Sequence, residues 1–108
     1  MAILISSYTT KKPAEYVNKN GTADRRCICG TWKQHWINFS GKEWPAKCTV
    51  KGCDHKATLG AHITKKGENK EYIIPACVDC NQSSSAFQLK REGYLVSANQ
   101  SETCRKNR

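Results

Sequence analysis

The chain has 108 residues, a hydrophobic content of 38% and a mean hydropathy of -0.70, which is one small domain's worth of sequence and too polar to depend on a large apolar core. A formal charge of +9 and a pI near 9.4 suit a polyanionic partner, although a basic surface also serves solubility alone. The opening apolar run Ala2-Ile3-Leu4-Ile5 is too short for a secretory core or a membrane span, so the expectation is a cytoplasmic protein that uses no membrane.

A domain of this size buries only about 60 to 70% of the surface its unfolded chain exposes, so it needs staples. Seven cysteines can supply them. The odd number and two pairs at ligand spacing point to reduced thiols that bind metal, with disulfides as the alternative. Structural zinc contributes an apparent 10 to 16 kcal/mol or so in small zinc peptides, comparable to a domain's whole net stability. Metal can therefore decide whether such a chain folds.

In chain order, residues 1–26 read as a basic amino-terminal segment set apart from a zinc-binding domain over 27–108. Ala2 to Ile5 is a short strand, Pro13, Asn18, Asn20 and Gly21 mark turns or loop, and Lys11, Lys12, Lys19, Arg25 and Arg26 supply charge. Such a segment is either an arm for nucleic acid or a solvated lead-in. Next comes Cys27-Ile28-Cys29-Gly30, then a helix capped by Thr31 and ended by Gly41, with Trp32, Trp36 and Phe39 on one face. That stripe reads as core rather than as a platform for stacking on bases.

Glu43-Trp44-Pro45 turns into a knuckle, Cys48-Thr-Val-Lys-Gly-Cys53, where Gly52 frees the backbone to wrap toward the thiols. Thr58-Leu59 and His62-Ile63-Thr64 read as two arms around a bend at Gly60, or as parts of one hairpin. Lys65 to Lys70 is a polar loop, Tyr72 to Ile74 a strand stopped by Pro75. A helix follows from about Cys77–Asp79 to near Lys90 or Arg91, with Ala86, Phe87 and Leu89 packing within it and Gly93 past its end. Tyr94 to Asn99 is one more short strand, and Cys104 stands in the polar tail.

Cys48, Cys53, Cys77 and Cys80 make two close pairs, each able to give two ligands from one turn, and four thiolates leave no open position for water. The expectation is a closed, structural zinc site that clamps a hairpin onto a helix, with Lys47, Lys51 and Lys56 easing its negative charge. A second zinc held by Cys27, Cys29, Cys104 and one of the two spare histidines, His35 in preference to His55, would tie the carboxyl terminus to the amino-terminal half. The alternative there is that Cys27 and Cys29 are small buried residues and Cys104 is free.

The order of these parts, a cysteine knuckle, then Gly60-Ala61-His62-Ile63, then Tyr72-Ile73-Ile74-Pro75 leading into Cys77-x-x-Cys80-Asn81, resembles the zinc-containing branch of the HNH endonuclease family. The resemblance implies an α+β domain with a treble-clef or ββα-metal core, hairpin plus helix, and a catalytic Mg²⁺ or Mn²⁺ beside the structural zinc. It implies His62 as the general base that activates water and Asn81 as a ligand of the catalytic ion. The chain departs from the family where Ala61 stands in place of a metal-binding aspartate. The family's middle asparagine falls near Tyr72, with Asn69 the closest candidate, and further ligands would have to come from Glu68, Glu71 or His55. From Cys27 to Cys104 the chain is also similar to small bacterial and phage zinc-binding proteins without established activity, which carry a Cys-x-Cys-Gly, a His-Trp pair, a Gly-Ala-His segment and a late Ser-Ala-Asn stretch.

Three functions stay open at this point. The first is a metal-dependent endonuclease and the second a non-catalytic nucleic-acid-binding module, each with DNA ahead of RNA as partner. The third is a small adaptor or inhibitor whose basic face docks on an acidic protein.

Overall fold

Residues 59–65 and 71–76 alternate side chains across a sheet, and everything else is placed by which face they present. The structure, a computed structural model, describes residues 14–19 and 28–104. Four strands, β1 (Tyr16–Asn18), β2 (Leu59–Lys65), β3 (Glu71–Ala76) and β4 (Val96–Ser97), form one antiparallel sheet in chain order. Helix α1 (Trp32–Ser40) and the short helix α2 (Val78–Gln82) complete a mixed α+β domain. Among the described residues no helix is long and apolar enough to cross a membrane.

Period-two alternation splits the core in two. Ala61, Ile63, Ile74 and Ala76 join Tyr16, Cys48, Val50 and Cys77 on one face. On the other, Ile73 packs with Trp36, Val96 and Ala98, supported by Trp32, Ile37, Trp44 and Tyr94. Gly60 belongs to this second face and permits the contact: a Cβ there would lie 2.6 Å from the Trp32 carbonyl carbon and 2.8 Å from the Lys33 nitrogen. Of the two readings of Thr58 to Thr64, the bend at Gly60 does not occur and membership of one hairpin does. Gly60 pairs with Pro75 inside an unbroken strand, and its missing side chain serves the close approach of α1.

Helix α1 has the limits its sequence indicates. The Thr31 hydroxyl accepts from the Gln34 amide at 3.0 Å, and Gly41 ends the helix at φ 70°. Its aromatic stripe is only partly core. Trp36 is fully buried and donates from Nε1 to the Tyr94 carbonyl at 2.8 Å, whereas Phe39 is 42% exposed and rests against His35.

Three further expectations are corrected. Pro75 does not stop β3, because its carbonyl takes the Thr49 amide at 3.1 Å and the Thr49 hydroxyl at 2.7 Å, on the side away from β2. A strand residue points its nitrogen and oxygen the same way, so the absent N–H costs no bond to β2. Helix α2 ends at Gln82 instead of near Lys90. Ser83 turns extended at ψ 138°, in a serine run whose hydroxyls compete for backbone groups, as Ser83 Oγ does for the Ser85 amide. The chain then runs as an extended bridge: Phe87 exchanges both backbone bonds with Tyr16, Lys51 donates to Gln88, and Lys90 donates to Thr49. Finally, the basic amino-terminal segment supplies β1, whose Tyr16 is buried and donates its hydroxyl to Glu92. The strand expected at Ala2 to Ile5, the basic residues Lys11, Lys12, Arg25 and Arg26, and Cys27 lie outside the described residues.

Candidate metal centre

The knuckle is a small turn closed by its own backbone. Cys48 N donates to the His55 carbonyl at 2.8 Å and Cys53 N to the Val50 carbonyl at 3.1 Å, with Gly52 at φ 87° supplying the left-handed turn between them. Thr49, anchored on Pro75, sets the knuckle against the end of β3, where the chain enters α2. There Cys77 is the N-cap residue, its sulfur 3.4 Å from the Cys80 amide, so the second pair sits on the first turn of a helix.

These two turns bring Cys48, Cys53, Cys77 and Cys80 together with all four sulfurs within 4.8 Å of one another. The Cys53 and Cys77 sulfurs are 3.7 Å apart. A tetrahedral zinc with bonds of about 2.3 Å separates its sulfurs by about 3.8 Å, whereas a disulfide needs about 2.05 Å. The donor set therefore fits a closed tetrathiolate centre, and none of Cys48, Cys53, Cys77 and Cys80 is in a disulfide.

Charge leads to the same conclusion. Burial pushes the Cys48 and Cys80 thiols up. Burial opposes ionisation of Cys77 as well, but hydrogen bonds from the Cys80 amide, His55, and the Cys80 and Cys53 side chains outweigh it and bring that thiol down to about 6. Four sulfurs within 4.8 Å of one another, those of Cys48 and Cys77 on buried residues, cannot all ionise unless a cation sits among them. Lys90 braces the arrangement from outside, donating from Nζ to the Cys48 and Cys53 carbonyls at 2.7 Å each. Nothing in the sequence set Lys90 apart from any other lysine near a helix end.

The two residues that the HNH resemblance implies for catalysis lie on different elements, His62 on β2 and Asn81 on α2. His62 is 6% exposed and lies on the α1 side of β2, its ring 4.4 Å from the Trp32 indole in an edge contact. Asn81 is on α2, whose N-cap Cys77 belongs to the core on the opposite face. Among the described residues His62 joins neither cluster of potential metal ligands. Glu68 pairs with Lys65, His55 with Asp79, and Asn69 and Glu71 line a separate cleft with Asn99 and Glu102.

A second cluster does form. Cys29, His35 and Cys104 place one ligand atom each within 4.8 Å of the others. His35 is fully buried, and burial holds its imidazole below the ordinary histidine range. Cys27, the fourth ligand expected there, is outside the described residues. Comparison of the chain with known protein families, with curated proteins and with solved structures finds no match.

Proposed function

We propose that this protein is a zinc-stapled nucleic-acid-binding module that keeps the knuckle, hairpin and helix of an HNH-like scaffold without its catalytic pair. The observation that carries the reading is the lysine cluster on the knuckle. Lys47 and Lys56 are direct partners in an antiparallel bridge, Lys51 stands between the two knuckle cysteines, and all three are exposed. Like charges opposite one another on paired strands are destabilising unless an anion offsets them. None of the three forms an ion pair with another described residue, and the whole chain carries +9. Phosphates are the anions that such a rigid cationic edge suits, with counterion release driving the association. The burial of His62 against Trp32 supports binding over cleavage, because a general base must reach the water it activates.

Fluorescence anisotropy with labelled duplex DNA, single-stranded DNA and RNA, titrated over salt, tests the proposal. Binding should weaken steeply with salt, and replacing Lys47, Lys51 and Lys56 by Gln should lower the slope of log affinity against log salt by about 0.9 per lysine on duplex DNA, with zinc content unchanged. Absence of binding to any of these at low salt would move the protein to the adaptor class, with an acidic protein as partner. Plasmid nicking with Mg²⁺ or Mn²⁺ that His62→Ala abolishes would restore the endonuclease reading.

A further inference from the structure

We propose that Cys29, His35 and Cys104 hold a second zinc ion, distinct from the tetrathiolate centre, that fastens the carboxyl-terminal turn onto α1. The three ligands come from stretches far apart in the chain: the turn before α1, the buried side of α1, and the turn that follows the 3-10 helix Gln100–Glu102. Their ligand atoms nevertheless converge within 4.8 Å.

His35 is prepared for such a role. Its Nε2 lies 2.9 Å from the Ser97 carbonyl oxygen, which can only accept, so Nε2 carries the proton and Nδ1 is the lone-pair nitrogen. A backbone carbonyl that fixes the tautomer and orientation of an imidazole is the usual outer support of a metal-bound histidine. The Trp32 and Phe39 rings flank the imidazole at 5.0 and 5.1 Å, which holds it in place without adding a competing charge.

On the cysteine side, Gly30 at φ 103° follows Cys29 as Gly52 at φ 87° precedes Cys53, so each cluster has a left-handed glycine next to a ligand in a tight turn. Cys104 is braced by Gln100, its sulfur 3.9 Å from Oε1. Two thiolates and an imidazole favour zinc over harder divalent ions. The ion would join α1, β4 through Ser97, and the tail. This proposal stands independently of whether the protein binds nucleic acid.

Native mass spectrometry of the full-length protein reads the metal count directly. Two zinc ions per chain are expected, falling to one in Cys104→Ser. Cobalt substitution of the same variant should lose the absorption of a mixed sulfur and nitrogen site and retain that of a tetrathiolate. Hydrogen exchange should then show lost protection in α1 and in residues 100–104, with the β2–β3 hairpin protected as before. One zinc per wild-type chain, left unchanged by Cys104→Ser, overturns the proposal, as does a Cys29–Cys104 disulfide found by peptide mapping.

Discussion

Replacing Gly60 by Ala tests the packing of α1 on the sheet. In a strand interior this substitution normally stabilises by about 0.5 to 1 kcal/mol, since glycine loses more backbone freedom on folding. Here the new methyl would stand 2.6 Å from the Trp32 carbonyl carbon, with the Trp32 oxygen and Lys33 nitrogen at 2.8 Å. Ordinary contact begins near 3.5 Å, so α1 must withdraw by about 0.7 to 0.9 Å. The obstructing atoms are backbone and cannot swing aside. The helix is also fixed further along by Trp36, fully buried and bonded to Tyr94. Overpacking of this kind costs about 1 to 3 kcal/mol, and the rigid neighbours place Gly60→Ala at the upper end, about 3 kcal/mol. Urea unfolding of the zinc-loaded protein should show a lower midpoint at an unchanged slope. Gly67→Ala is the control: it has open space around it at φ 87°, so its cost of about 1 kcal/mol comes from the backbone alone. A Gly60→Ala protein as stable as the wild type, or more so, would refute the close approach of α1 to β2.

Lys90→Met should leave the fold in place but weaken zinc binding about 10- to 100-fold in a competition titration with a chromophoric chelator, because it removes the cation that braces both knuckle carbonyls. Acid should strip the tetrathiolate centre. Metal binds thiolates, so protons compete with it for all four sulfurs. In the metal-free protein Cys77 has its thiol lowered to about 6, and the stability its thiolate contributes is full above the unfolded thiol range and lost as pH falls through about 6. Thermal unfolding of the metal-loaded protein should lose stability at the acidic pH where the ion is released, and a stability that acid or chelator leaves unchanged while the ion departs would count against a thiolate centre.

The tetracysteine cluster was the most legible part of the sequence, because close cysteine spacing constrains a turn whatever surrounds it. His35 was not legible in the same way, since it and His55 were equally spare by spacing and only the fold brings His35 to Cys29 and Cys104, whereas Thr31 and Gly41 bounded α1 through ordinary capping chemistry. The α2 helix was read too long. The apolar residues Ala86, Phe87 and Leu89 have no period that separates a helix from an extended bridge, and only the partners Tyr16 and Val50, far away in sequence, decide the matter. His62 illustrates the same limit. The environment of its ring is set by Trp32, far away in sequence, which approaches only because Gly60 lets it. Residues 14–18 resembled a lead-in because a three-residue edge strand carries almost no pattern of its own.

The extended bridge at Phe87 has a consequence for how the protein is made. During vectorial synthesis β1 emerges early, and β2 can dock along one side of it, but its other side stays bare until Phe87 leaves the ribosome, and Tyr16 lacks its acceptor until Glu92 does. Nascent chains stalled between Lys65 and Phe87 would display a raw β-edge, the kind of surface that recruits neighbours into aggregates. The local knuckle, complete by Cys53, presents two thiols well before that, so a metal ion held there would give a growing chain an early anchor while its sheet is still open.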